Sequence, residues 1–92
     1  MFSELDRAFM QEAIELAKEA ELNDEVPVGA VITLDNKIIG RGFNQVISLT
    51  DVTAHAEILA IKDASKTINN YRLKNTCMYV TLEPCHMCAK AL

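Results

Sequence analysis

Two short clusters carry most of the chain's capacity for chemistry: His55-Ala56-Glu57, and Pro84-Cys85-His86-Met87-Cys88 with Glu83 immediately before. Successive helical residues turn by about 100°, so Cys85 and Cys88 fall roughly 60° apart and share a face of a helix that starts at Pro84. In a first turn, the helix dipole and the free N–H groups favour thiolate over thiol. One His and two Cys, His55 with Cys85 and Cys88, suit tetrahedral zinc whose fourth position is left to water. His86 lies about 100° round from Cys85 and reads as an ordinary exposed residue. His55 and Glu57 are two apart, so both serve one metal only if it sits over the helix end. From there the Glu57 carboxylate reaches the zinc-bound water without ligating the ion. Zinc lowers that water's pKa towards about 7, and a nearby carboxylate takes the proton and passes it on. Those are the parts of a hydrolytic deaminase.

The elements that must position these groups are readable in order. Ser3 followed by Asp6 resembles a capping box, and Leu5, Phe9, Ala13, Leu16 and Ala20 recur at helical spacing, which predicts a helix over Ser3–Leu22. Asn23-Asp24 ends it. Val28 to Leu34 reads as a strand covered on both faces, and Asp35-Asn36 as a turn into a second strand, Lys37 to Phe43. A polar loop from Asn44 to Thr53 leads to a helix over Ala54–Ile68, with Asp51 or Thr53 as cap and Asn69-Asn70 as its end. Cys77 to Leu82 is a third strand, and Glu83-Pro84 starts a last helix, with proline where the missing N–H costs nothing. Strand, helix, strand in that order predicts a crossover and a parallel pair in a layered α/β sheet. His55 and Cys85 then open two helices beside strand ends, where open α/β sheets tend to bind ligands.

Composition narrows the class. The 92 residues are half apolar with 24% charged, three glycines and two prolines, which suits one folded domain and excludes collagen-like or low-complexity readings. A chain this short buries only roughly 60–65% of its unfolded surface and is marginal without a staple or partner. The net charge of −4 is uneven: residues 1–25 carry eight acids against Arg7 and Lys18, and the remainder is slightly basic. That acidity reads as a solvated helix face, and no basic cluster by itself advertises nucleic acid. The absence of a signal-like N-terminus and of any long apolar run predicts a reduced, cytoplasmic protein without a membrane span. There, Cys85-x-x-Cys88 reads as a metal or redox site, and Cys77 as a small buried strand residue.

Longer stretches carry a resemblance. EVPVGAV (25–31), GRGFN (40–44), DVTAHAEI (51–58), NNYRL (69–73) and MYVTLEPCHMCAKAL (78–92) together resemble the bacterial tRNA-specific adenosine deaminases, within the zinc-dependent deaminase superfamily whose signature is His-x-Glu plus Pro-Cys-x-x-Cys. The resemblance covers nearly the whole chain. It implies a three-layer α/β/α, cytidine-deaminase-like mixed sheet, represented by its N-terminal part: helix, β-hairpin, helix, strand and the start of a helix. It implies Zn2+ on His55, Cys85 and Cys88, with Glu57 as proton shuttle, and a flipped base held by Asn44 with Val28 and the Ala56 backbone lining its pocket. It also implies conversion of adenosine to inosine at the tRNA wobble position, in the anticodon arm, by a homodimer. Val52 and Lys90 depart from the usual proline and glycine, and neither departure removes a ligand. Family members run on for roughly another half-chain, so residues 1–92 are expected to form a single domain that is incomplete at its C-terminus, with little tRNA activity alone.

Three other readings fit parts of the pattern. A deaminase of free bases or nucleotides (cytosine, guanine, deoxycytidylate) would use the same zinc chemistry and differ only in the pocket. A non-catalytic zinc-binding fragment would need no Glu57. A thioredoxin-like redox protein would use Cys85 and Cys88 with no zinc at all.

Overall fold

The chain's amphipathic segments fold as their periodicities require. The computed structural model describes residues 3–50, 55–68, 75–81 and 86–90, the last stretch as backbone. Helix α1 (Glu4–Leu22) begins at the capping box: the Ser3 hydroxyl accepts the Asp6 amide, and the Asp6 carboxylate accepts the Ser3 amide. Strands β1 (Gly29–Leu34) and β2 (Lys37–Phe43) form an antiparallel hairpin. Asp35 and Asn36 both take positive φ, 51° and 62°, as a two-residue turn matched to strand twist demands. Helix α2 (Ala56–Ile68) and strand β3 (Cys77–Thr81) follow. None of the described helices is long and apolar enough to cross a membrane.

The sheet runs β2-β1-β3-β4, where β4 is His86–Lys90. Two expectations change here. The connection from β2 through α2 does return the chain in the same direction, but β1 lies between β2 and β3. Every described ladder is therefore antiparallel, where a parallel pair and a mixed sheet were expected. Strand direction follows from the crossover; the identity of the neighbour does not. The last segment, read as the start of a helix, is instead a strand over His86–Lys90 paired with β3. Pairing with the outer edge of β3 satisfies the backbone groups of this segment in place of helical hydrogen bonds.

Side chains alternate between two helix layers. Ala30, Ile32 and Val80 face α2, packing with Ala56, Ala60 and Ala64. Val31 and Tyr79 face α1, packing with Phe9 and Met10. The expected α/β/α layering holds. On the outer edge the Arg41 amide of β2 donates to the Asp63 carboxylate of α2 at 2.9 Å. Cys77, expected as a small buried residue, is half-buried and disulfide-bonded.

Candidate active site

The predicted pocket residues converge at one end of the sheet. Asn44 follows β2 directly and is 7% exposed. Its amide N–H donates to the Val28 carbonyl at 3.1 Å, and its Oδ1 accepts the Ala56 N–H at 2.8 Å. The Asn44 side chain thus satisfies one of the free N–H groups at the start of α2, a role expected of Asp51 or Thr53, which lie outside the described residues. With Oδ1 turned to Ala56, the Asn44 side chain has donors left to offer at Nδ2. Ala56 is fully buried with its N–H held by Asn44. Val28, half-buried, packs against the α2-side core.

His55 and Glu57 flank Ala56 at the head of α2. His55 is exposed, with its carbonyl accepting the Leu59 amide at 3.0 Å to close the first turn. Glu57 is half-buried and sits in that turn, where a helix N-terminus favours a negative charge. At the neighbouring strand end, the buried Thr81 hydroxyl accepts the Gly29 amide at 2.9 Å. This ties the last described residue before Cys85 to the residue after Val28.

Glu25, one of the eight acids of residues 1–25 expected on a solvated face, is 6% exposed. Its carboxylate accepts from the Ile47 amide at 3.1 Å, the Ser48 amide at 2.6 Å and the Ser48 hydroxyl at 2.8 Å. Burial opposes ionisation of this group, but the hydrogen bonds from the Ile47 and Ser48 amides, the Ser48 hydroxyl and the Val46 amide together outweigh it and hold the carboxyl below its usual range. The signal that could have found it is an acid between the Asn23-Asp24 turn and an apolar strand, where a solvated carboxylate has little room.

The predicted metal ligands are only partly in view. Among the described residues no three His, Cys, Asp or Glu side chains stand close enough to hold a metal. Cys85 lies outside the described residues, and Cys88 is described only as backbone opposite Tyr79. An exposed imidazole at a helix start and two thiolates form a nitrogen–sulfur donor set that fits zinc. The chain has three cysteines. Within one chain, a disulfide at Cys77 and a metal held by both Cys85 and Cys88 therefore exclude each other, so loading requires reduced thiols. On α2, Ile58 and Ile61 are 38% and 41% exposed.

Residues 3–92 match the model of the cytidine and deoxycytidylate deaminase zinc-binding region. The chain belongs to this deaminase family, whose members share a zinc-binding region. Among curated relatives, the tRNA-specific adenosine deaminase of Buchnera aphidicola subsp. Schizaphis graminum is 52% identical over 92 residues, spanning 100% of this chain and 61% of that protein. The enzyme of the same name from Haemophilus influenzae is 54% identical over 91 residues, 98% of this chain and 53% of its own length. The chain thus spans a little over half the length of these relatives. Among solved structures, one from studies of A-to-I editing by tRNA:A34 deaminases superposes with a TM-score of 0.80 at 47% identity, covering 86% of this chain and 61% of that one. The guanine deaminase of Bacillus subtilis gives 0.78 at 40% identity, covering 86% and 51%. The fold is therefore cytidine-deaminase-like, as expected.

Proposed function

We propose that the protein is a zinc-dependent hydrolase that deaminates adenosine to inosine at the wobble position of tRNA, gripping the anticodon arm. The observation that carries this reading is the pair of hydrogen bonds joining Val28, Asn44 and Ala56 at the head of the helix that bears His55 and Glu57. His55, Cys85 and Cys88 would hold the ion. Zinc, when bound, supplies the Lewis acidity that makes water nucleophilic near neutral pH. Glu57 takes a proton from the attacking water and delivers it to N1 of adenine as the new bond forms at C6. It then serves the leaving amine, so that water enters and ammonia departs. Asn44 offers its Nδ2 donors to the base, held in that orientation by the Ala56 N–H. Half-buried Val28 walls the pocket.

The same reading includes a homodimer, supported by the exposed Ile58 and Ile61 on α2, and a reduced cytoplasmic setting in which the thiolates persist. Residues 1–92 belong to a single deaminase domain in this reading. The likeness to a guanine deaminase favours one second reading, deamination of free bases. Assays of inosine in an anticodon arm and of ammonia from free guanine, cytosine and deoxycytidylate separate the two. In full-length protein, inosine in the RNA is expected; ammonia from free bases alone would replace the first reading with the second. Glu57→Gln should lower kcat by about 10²–10⁴ with zinc content unchanged, and retained activity would remove Glu57 from the proton path.

A further inference from the structure

The loop that follows Asn44 is irregular, yet one side chain from a distant part of the chain holds its first half. Glu25 leaves α1 just after the Asn23 cap, where Asp24 turns the backbone through a φ of 59°. Burying a carboxylate is costly unless donors compensate it. Here three donors from Ile47 and Ser48 do so, at 2.6–3.1 Å. Three residues beyond Glu25, the Val28 carbonyl receives the Asn44 amide. Three residues before Ile47 stands Asn44 itself. The two segments are therefore pinned to one another at two points, and Asn44 occupies the inner one, from which its side chain reaches Ala56.

We propose that Glu25 is a positioning residue of the pocket: by clamping the loop after Asn44, it holds the Asn44 side chain between the Ala56 N–H and the substrate base. Its substrate rests on the deaminase reading above; its mechanical part does not. Glu25 works through Asn44 and not on the reacting atoms. A carboxylate is required because it presents acceptors alone. Glutamine would set an NH2 group against one of the loop's donors, and aspartate falls one methylene short.

The test compares Glu25→Gln and Glu25→Asp with the parent, as full-length, zinc-loaded protein, by residue-resolved amide hydrogen exchange and by steady-state inosine formation. In Glu25→Gln, exchange at Ile47 and Ser48 should rise by about tenfold or more, and exchange at Ala56 should rise severalfold. KM should rise by about tenfold with kcat changed by less than about threefold, because an orienting contact is loosened while Glu57 is untouched. Zinc content should stay at the parental level, and Glu25→Asp should recover part of both the protection and the KM. Parental exchange at Ile47 and Ser48 would overturn the clamp. Faster exchange there, with Ala56 and KM at parental values, would overturn the positioning role. If the full-length parent makes no inosine, the deaminase reading fails, and exchange at Ala56 alone decides whether Glu25 positions Asn44.

Discussion

The two helices meet the sheet in different ways. α1 makes one close approach, at Gly29, where a Cβ would lie 2.1 Å from the Ala13 carbonyl oxygen, and then opens onto large side chains. Phe9 and Tyr79 sit with ring centroids 5.3 Å apart at 52°, flanked by Met10 and Val31. α2 meets the sheet through Ala56, Ala60 and Ala64, laid against Gly40 and Gly42. A Cβ at Gly42 would lie 2.4 Å from the Ala56 carbonyl oxygen, and one at Gly40 the same distance from that of Ala60. Large side chains cover area and can readjust; backbones in contact cannot. The helix that carries His55 and Glu57 is thus fixed at the face with the least freedom, while the other face supplies bulk apolar burial.

This contrast can be broken experimentally. Phe9→Ala should cost about 3–5 kcal/mol in denaturant unfolding, enough to threaten the fold, yet leave kcat per folded molecule at the parental value. Removing zinc from reduced protein should cost about 3 kcal/mol if the ion is supplied near 100 times its Kd, with the lost exchange protection concentrated in α2. An unchanged melt after verified metal removal would detach the ion from the fold. Gly42→Ala should cost only about 1–3 kcal/mol, but because the start of α2 must shift, kcat or zinc affinity should fall out of proportion. If Gly42→Ala spared activity and Phe9→Ala reduced it, the assignment of rigidity to the α2 face would be reversed.

The smallest effect is a pH signature confined to the α1 face. The Tyr79 hydroxyl donates to the Asp6 carboxylate, and this bond, with the Ser3 amide, holds the Asp6 carboxyl below its usual range. A depressed carboxyl stabilises the fold above its unfolded value, and that stability is lost as pH falls through the lowered folded value. Burial, then the bond to Asp6 and its charge, push Tyr79 from near 10 up to about 12. The folded state then keeps a proton that the unfolded chain releases, so this stability is present below about 10 and lost as pH rises towards 12. Tyr79→Phe should flatten both limbs in melts across pH, and hydrogen exchange in α2 should not respond.

What was legible from sequence follows the range of the interactions involved. The capping box at Ser3 and Asp6, the Asp35-Asn36 turn and both helix spans rest on neighbours within a few residues, and each is found. The insertion of β1 between β2 and β3, and the strand at His86–Lys90, depend on pairing across the sheet, where local signals such as Pro84 carry no weight. For the candidate site, the expected placing of His55 and Glu57 at a helix start is found. Asn44 entered only through resemblance, because a loop asparagine says nothing locally about a helix that starts twelve residues later. Glu25 was misread as one acid among eight, since its donors come from a loop more than twenty residues away.

The contact between Asp63 and the Arg41 amide bears on how the molecule behaves when concentrated. β2 borders the sheet on one side, and an open border strand invites foreign chains to add to it, the first step towards fibrils. By occupying one of its outward amides, Asp63 makes any incoming strand forfeit a hydrogen bond there and meet a negative charge. The helix that begins beside His55 therefore also plugs the border of the sheet against growth.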